Sequence, residues 1–201
     1  MTDNKVFIIS FMKSGITSAS QFLKDLGYKQ CKTIRYKANR LVKDGKFDKK
    51  TFDTVLKNGD FFADQPIFVI WEHLAIAYPT AKFICTYRDV ESWYGSFKNW
   101  SIKRNLLGDT KDNLFSFWLQ RPDLLKLKTS RAMIEKCEAE GLENSIKDLY
   151  LEHNKSIQNY FKDKDNLFFA PINTDNTQEL KEFLNKKNSK VFWGHHNKSV
   201  Y

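Results

Sequence analysis

The chain has 201 residues, 41% hydrophobic and 15% aromatic, a composition that excludes a disordered polymer and suffices for one domain with a buried core. A formal net charge of +9 favours polyanions or anionic small ligands and makes nucleic acid the default suspect, while leaving the fold open. Three widely spaced cysteines, Cys31, Cys85 and Cys137, form no CxxC or Cys/His pattern, which argues against a zinc site and against a disulfide framework.

Met1-Thr2-Asp3-Asn4-Lys5 runs straight into an apolar β-branched stretch, leaving no room for a signal peptide. No apolar run approaches the roughly 20 residues that span a bilayer. The expectation is a single domain over 1–201 in a soluble, reducing, cytoplasmic setting, with no membrane partner and no metal. Residues 5–10 read as a buried strand. Ile16, Ala19, Leu23 and Leu26 recur at helical spacing, and Gly27 stands where a C-cap belongs, so 15–26 reads as the following helix. Between the two lies Lys13-Ser14-Gly15. The first N–H groups of a helix have no intrahelical acceptor, and a lysine beside them makes an anion site.

Residues 29–58 carry ten Lys or Arg against three Asp, most of the excess charge. Ile34, Leu41, Val42, Phe52, Val55 and Leu56 predict helices there with one buried face. The basic segment is either a solvated charged face or a positive wall beside an anion-binding cleft. Residues 60–64, Asp-Phe-Phe-Ala-Asp, form a second strand candidate. Pro66 suits a first helical turn, and Ile67, Ile70, Trp71, Leu74, Ala77 and Tyr78 predict an amphipathic helix over 66–78 that Pro79 helps to end.

Residues 82–87 form the third strand, with Arg88-Asp89 at its carboxyl end and Asp89 as N-cap of the next helix. The aromatic stripe there, Val90, Trp93, Tyr94, Phe97 and Trp100, reads as core rather than as a stacking platform for bases. Turn signals at Gly108-Asp109 and Arg121-Pro122-Asp123 bracket a helical excursion or lid around 105–131. A long helical pattern runs from about Arg131 to Lys162, with Gly141 a candidate break. Its face carries Ile146, Leu149, Tyr150, His153, Ile157 and Tyr160. A fourth strand at 166–170 and a short helix at 176–186 precede an apolar-then-polar tail, Val191 to Asn197.

Strands alternating with helices predict an α/β fold of three layers, a mainly parallel sheet flanked by helices. Ligands of such sheets bind at the carboxyl ends of the strands, and Lys13, Asp64 and Arg88 each follow a predicted strand there. The loop is not an ATP-type P-loop, because Lys13 precedes Gly15 and no second glycine lies upstream.

Lys13-Ser14-Gly15-Ile16-Thr17, followed by Arg88 and, eight residues on, Ser96, resembles the sulfotransferases that use 3′-phosphoadenosine 5′-phosphosulfate (PAPS). Phe62-Ala63-Asp64-Gln65-Pro66, Trp71 and Leu74, Tyr78-Pro79-Thr80-Ala81-Lys82 and Arg88 to Tyr94 look like a small bacterial-type branch of that family, and His195 and Asn197 match its closing loop. The resemblance implies a P-loop nucleotide hydrolase-like sulfotransferase fold. It also implies sulfuryl transfer from PAPS to a hydroxyl or amine of a small-molecule or glycan acceptor, leaving adenosine 3′,5′-bisphosphate (PAP).

By the same resemblance, Ser14, Gly15, Ile16, Thr17 and Ser18 hold the 5′-phosphate through their N–H groups, and Lys13 neutralises the bridging oxygen as sulfur departs. Arg88 and Ser96 hold the 3′-phosphate. Ser96 lies seven residues past Asp89, about 10 Å along a helix, so the two could grip one phosphate from two sides. Two positions depart from the family: Ile16 stands where a Thr follows the glycine, and His73 precedes Leu74 where a Glu is frequent.

Asp64 occupies the topological place of the histidine that serves as base in the larger cytosolic sulfotransferases, so it is the candidate base, with Glu72 and His73 as alternatives. The competing role for Asp64 is helix capping ahead of Pro66, and for His73 a satisfied place in the core. Two other functions compete: a P-loop nucleotide or small-molecule kinase, and a catalytically inactive basic domain that binds nucleotide or nucleic acid.

Overall fold

A computed structural model describes residues 5–31, 41–43, 46–103 and 142–194. The excursion expected around 105–131, the start of the long helical pattern with Gly141, the middle of the basic segment, and His195, His196 and Asn197 lie outside the described residues.

Alternation of faces organises the sheet. In β1 (Val6–Ile8), Val6 and Ile8 enter one hydrophobic core, while Phe7 and, just beyond, Ile9 enter another. All four are 0% exposed, so the strand is buried on both faces. β1 pairs in parallel with β4 (Phe61–Phe62) on one edge and β5 (Lys82–Tyr87) on the other, and β5 pairs in parallel with β6 (Leu167–Pro171). The order β4-β1-β5-β6 puts four carboxyl ends on one edge.

Helices cover both faces, so the three-layer α/β expectation holds. On the Val6/Ile8 side lie α1 (Ile16–Asp25), which buries Ile16, Ala19, Phe22 and Leu23, and, later in the chain, α6 (Thr177–Phe183) with Trp193. On the Phe7/Ile9 side lie α2 (Lys49–Leu56), α3 (Trp71–Ala77), α4 (Val90–Lys103) and α5 (Leu142–Tyr160). Asp48 caps α2 by accepting from the Thr51 N–H at 3.0 Å, and Tyr78 donates its phenol to Asp53 at 2.8 Å, tying the end of α3 to α2. The stripe on α4 is core: Trp93 is 0% and Phe97 1% exposed.

Two local expectations fail. The predicted helix over 66–78 begins only at Trp71, and Pro66 stands not in its first turn but after a cis bond in a run of turns. Ile67, Phe68, Val69 and Ile70 are all buried, and a helix would turn part of such a consecutive set toward solvent. In the basic segment, Leu41 and Val42 were expected on a helix. Val42 instead belongs to β2 (Val42–Lys43), antiparallel to β3 (Lys46–Phe47), with Val42 opposite Phe47. Asp44-Gly45 lies between these strands in the sequence, a short-range hairpin signal.

His153 ties α5 to the end of β1. Its Nε2 lies 2.8 Å from the Ile9 carbonyl oxygen, which only accepts, so Nε2 carries a proton and donates it. The rings of Phe11, Phe68 and Trp71 meet it edge-on, and burial pushes its pKa down to about 4. In the unfolded chain the same side chain takes a proton near pH 6.5, so this contribution is full above that pH and falls away as pH drops toward about 4. The loss amounts to about 3 kcal/mol. Urea midpoints should therefore fall between pH 7 and pH 4.5, and His153→Gln should show a shallower fall; equal slopes would remove His153 as the cause.

Candidate active site

The loop after β1 is held from three directions. The Ser10 hydroxyl accepts from the Thr86 N–H at 2.8 Å and lies 3.0 Å from the Thr86 hydroxyl, which donates to the Ser14 carbonyl at 2.6 Å. The Trp93 indole N–H donates to the Met12 carbonyl at 2.8 Å. β5 and α4 thus fix the chain on either side of Lys13, which takes φ 65°. Gly15, at φ 91°, is the N-cap of α1, and a Cβ there would come within 2.2 Å of the Ile172 Cδ1. No other residue combines that left-handed conformation with so close an approach.

The Ser14 N–H turns back to the Phe11 carbonyl at 3.2 Å, and the first helical bond runs from the Ala19 N–H to Gly15. Among the described residues, Gly15, Ile16 and Thr17 have no backbone acceptor for their N–H groups, whereas the Ser14 N–H of the expected 14–18 set is engaged within the loop. The Ile16 side chain is buried in the core of α1, Ser18 is also buried, and Thr17 is exposed. The Ser14 hydroxyl is buried near the Tyr150 phenol yet meets no partner at hydrogen-bonding geometry.

Arg88 follows β5. Its guanidinium makes no ion pair with Asp89, whose carboxylate accepts from the Glu91 and Ser92 N–H groups at 3.0 and 3.2 Å and so caps α4 as expected. The Arg88 Nε is buried without a partner. Ser96, 3% exposed, stands on α4 between Trp93 and Trp100 on the helix face they share.

Asp64 follows β4 at φ 65°, half-buried. It does not cap α3: that helix starts after Ile70 with no side-chain cap, and the Asp64 carbonyl accepts from the Ile67 N–H instead. Among the described residues three non-glycines have positive φ, and two of them are Lys13 and Asp64, the two catalytic candidates, at the ends of neighbouring strands. Such backbone costs about 1–2 kcal/mol at each site and persists only where surrounding contacts impose it. Of the alternatives to Asp64, Glu72 is exposed on the first turn of α3, and His73 stacks on Phe47 with centroids 5.8 Å apart and planes 8° apart.

Reading the residues missed Gln65, Thr86 and Tyr150. Among the described residues four buried polar atoms lack a partner: those of Ser14, Gln65 and Arg88 follow β1, β4 and β5, and the fourth is the Trp193 indole nitrogen. Tyr150 had counted only as part of an apolar face; its phenol was the available signal, since a buried tyrosine hydroxyl nearly always finds a partner. A cleft of about 380 Å³ lies at the other edge of the sheet, lined by Val6, Tyr28, Asp60, Lys82 and Lys186 among others, and holds none of the expected site residues.

Among the described residues no helix is long and apolar enough to cross a membrane. The profile of a family described as "Sulfotransferase domain" matches residues 5–200. A 109-residue stretch is 33% identical to a protein of Aspergillus versicolor named "Ava biosynthesis cluster protein M", covering 47% of this chain and 42% of that protein. The chain thus matches under half the length of this curated relative. With residues 5–200 matched and the parallel sheet flanked by helices on both faces, the chain belongs to the sulfotransferase domain family.

Proposed function

We propose that the protein moves a sulfuryl group from PAPS to a hydroxyl or amine. The observation that carries this reading is the pair of buried, unpartnered polar atoms, Ser14 Oγ and Arg88 Nε, beside a helix start whose first N–H groups are open. Buried polar groups are satisfied in native proteins, so these mark where a ligand's acceptor oxygens belong. A nucleotide with a phosphate at each end of its ribose supplies them.

In this reading the N–H groups of Gly15, Ile16 and Thr17 hold the 5′-phosphate, with the Ser14 hydroxyl beside them and the exposed Thr17 hydroxyl in place of the family's missing threonine. Arg88 and Ser96 hold the 3′-phosphate. The acceptor oxygen or nitrogen forms a bond to sulfur as the bond from sulfur to the 5′-phosphate oxygen breaks. The departing electron pair stays on that oxygen, where Lys13 and the helix start offset the charge. Asp64 takes the acceptor's proton. Lysine and backbone dipoles do this work without a metal.

The acceptor is a small molecule or glycan. The Aspergillus relative's name places that protein in a biosynthesis cluster, which favours a small-molecule acceptor. A base-stacking surface on α4 is disfavoured because Trp93 and Phe97 are buried and Tyr94 and Trp100 pack partly buried against the core, and a kinase is disfavoured by a lysine that precedes the loop glycine.

Saturating PAP, at about 100 times its Kd, should stabilise the protein by about 2.7 kcal/mol and raise its melting midpoint by roughly 5–10 °C. ATP with magnesium should do far less. Arg88→Ala should weaken PAP binding about 10- to 100-fold, the range for hydrogen bonds to charged groups; unchanged binding would remove Arg88 from the donor site. A shift with ATP and magnesium alone would favour the kinase.

Asp64→Asn should lower turnover about 10²- to 10⁴-fold, the usual range for a general base, with PAP affinity unchanged. Full activity in that variant would move the base elsewhere.

A further inference from the structure

Arg88 is held by its backbone rather than by its side chain. The Tyr150 phenol oxygen accepts from the Arg88 N–H at 2.7 Å, and the same hydroxyl donates to the Arg88 carbonyl at 2.9 Å. One oxygen on α5 therefore closes both main-chain groups of the residue that follows β5. The Tyr150 ring is fixed in turn: it stacks on Trp93 with centroids 4.1 Å apart and planes 3° apart, and Phe11 meets it edge-on at 6.1 Å. Trp93 uses its indole N–H on the Met12 carbonyl, next to Lys13. Burial raises the phenol's pKa, so the hydroxyl stays protonated and able to donate.

We infer that Tyr150 is a positioning residue for donor recognition, its hydroxyl setting the backbone of Arg88 so that the guanidinium addresses the phosphate on the 3′ side of the nucleotide. The inference rests on the donor reading above. Among the described residues Arg88 Nε is buried and unpartnered, and no hydrogen bond or ion pair of these residues aims the guanidinium. Its direction follows from where the backbone at the end of β5 points, and the Tyr150 hydroxyl is the side-chain group bonded to that backbone. Tyr150 touches no substrate in this scheme. It acts through Arg88, and through the Trp93 stack it joins the 3′-phosphate side to the Lys13 loop.

The test compares PAP with adenosine 5′-phosphate, which lacks the 3′-phosphate, by calorimetric titration of the full chain. The wild type should bind PAP more tightly. Tyr150→Phe keeps the ring and its stack and removes only the hydroxyl. It should weaken PAP binding roughly tenfold, the scale of one hydrogen bond, and weaken adenosine 5′-phosphate binding far less, because the Ser14 hydroxyl near the phenol stays in place, so the preference for PAP collapses. In an Arg88→Ala background, Tyr150→Phe should bring no further loss, because the two residues act as one unit.

Equal loss of both nucleotides would mean a general structural role and overturn the inference, as would an unchanged preference or full additivity with Arg88→Ala. A second variant, Trp93→Phe, keeps an aromatic ring against Tyr150 and leaves its hydroxyl in place. It should retain the preference for PAP; its collapse there would assign the effect to packing and overturn the role of the hydroxyl. A wild type with no preference for PAP would instead bring down the donor reading, and this inference with it.

Discussion

β1 contributes only Val6, Phe7 and Ile8 to the sheet, yet it is hydrogen-bonded on both edges and buried on both faces. That double pairing sets the level at which the chain leaves the sheet and enters the loop carrying Lys13. Parallel register with β4 and β5 then puts Asp64 and Arg88 beside the same loop, because parallel neighbours end on the same edge. A slip of one residue in β1 would exchange Phe7 and Ile9 for Val6 and Ile8 between the two cores. The fully buried aromatic rings on the Phe7 side leave no room for that exchange.

Above the strand ends, hydrogen bonds replace sheet pairing. Thr86, Trp93, Tyr150 and His153 each use a side-chain polar group on the β1 loop or on the backbone at Arg88, and each is at least nine-tenths buried. Such groups are costly to leave unsatisfied, so the loop and the four side chains hold one another in a single arrangement. The same surroundings sustain the left-handed backbone at Lys13, and they keep the Ser14 hydroxyl and the Arg88 Nε turned away from protein acceptors. Polar groups without partners beside a fully bonded framework are how a site prepared for a ligand differs from a packed loop.

Much of the architecture was legible in the chain. β5 occurs at its expected bounds, and β1, α1, α2, β4, α5, β6 and α6 occur within the stretches assigned to them or within one residue, because apolar spacing follows the period of each element. Asp89 caps α4, and Trp93 and Phe97 of that helix are core with Tyr94 and Trp100 packed against it, as their spacing implied. The misreadings share a cause. Ile67 to Ile70 satisfy a helical template yet are buried all round, and Val42 satisfies one yet pairs across a hairpin; periodicity does not distinguish a one-sided helix from a fully buried turn.

For the site, the residue types and their order along the chain were enough to nominate Lys13, Asp64, Arg88 and Ser96, since a lysine and a glycine at a helix start and charges after successive strands are local features. Tertiary structure alone decided which groups are already engaged. It turned the Ser14 N–H back into the loop, used Asp89 as a cap, stacked His73 on Phe47, started α3 after Ile70 without a side-chain cap, and brought Tyr150 from 62 residues away onto the backbone of Arg88. The physical reason is that spacing along a chain encodes faces and ends of elements, whereas hydrogen-bond satisfaction is settled only when elements distant in sequence meet.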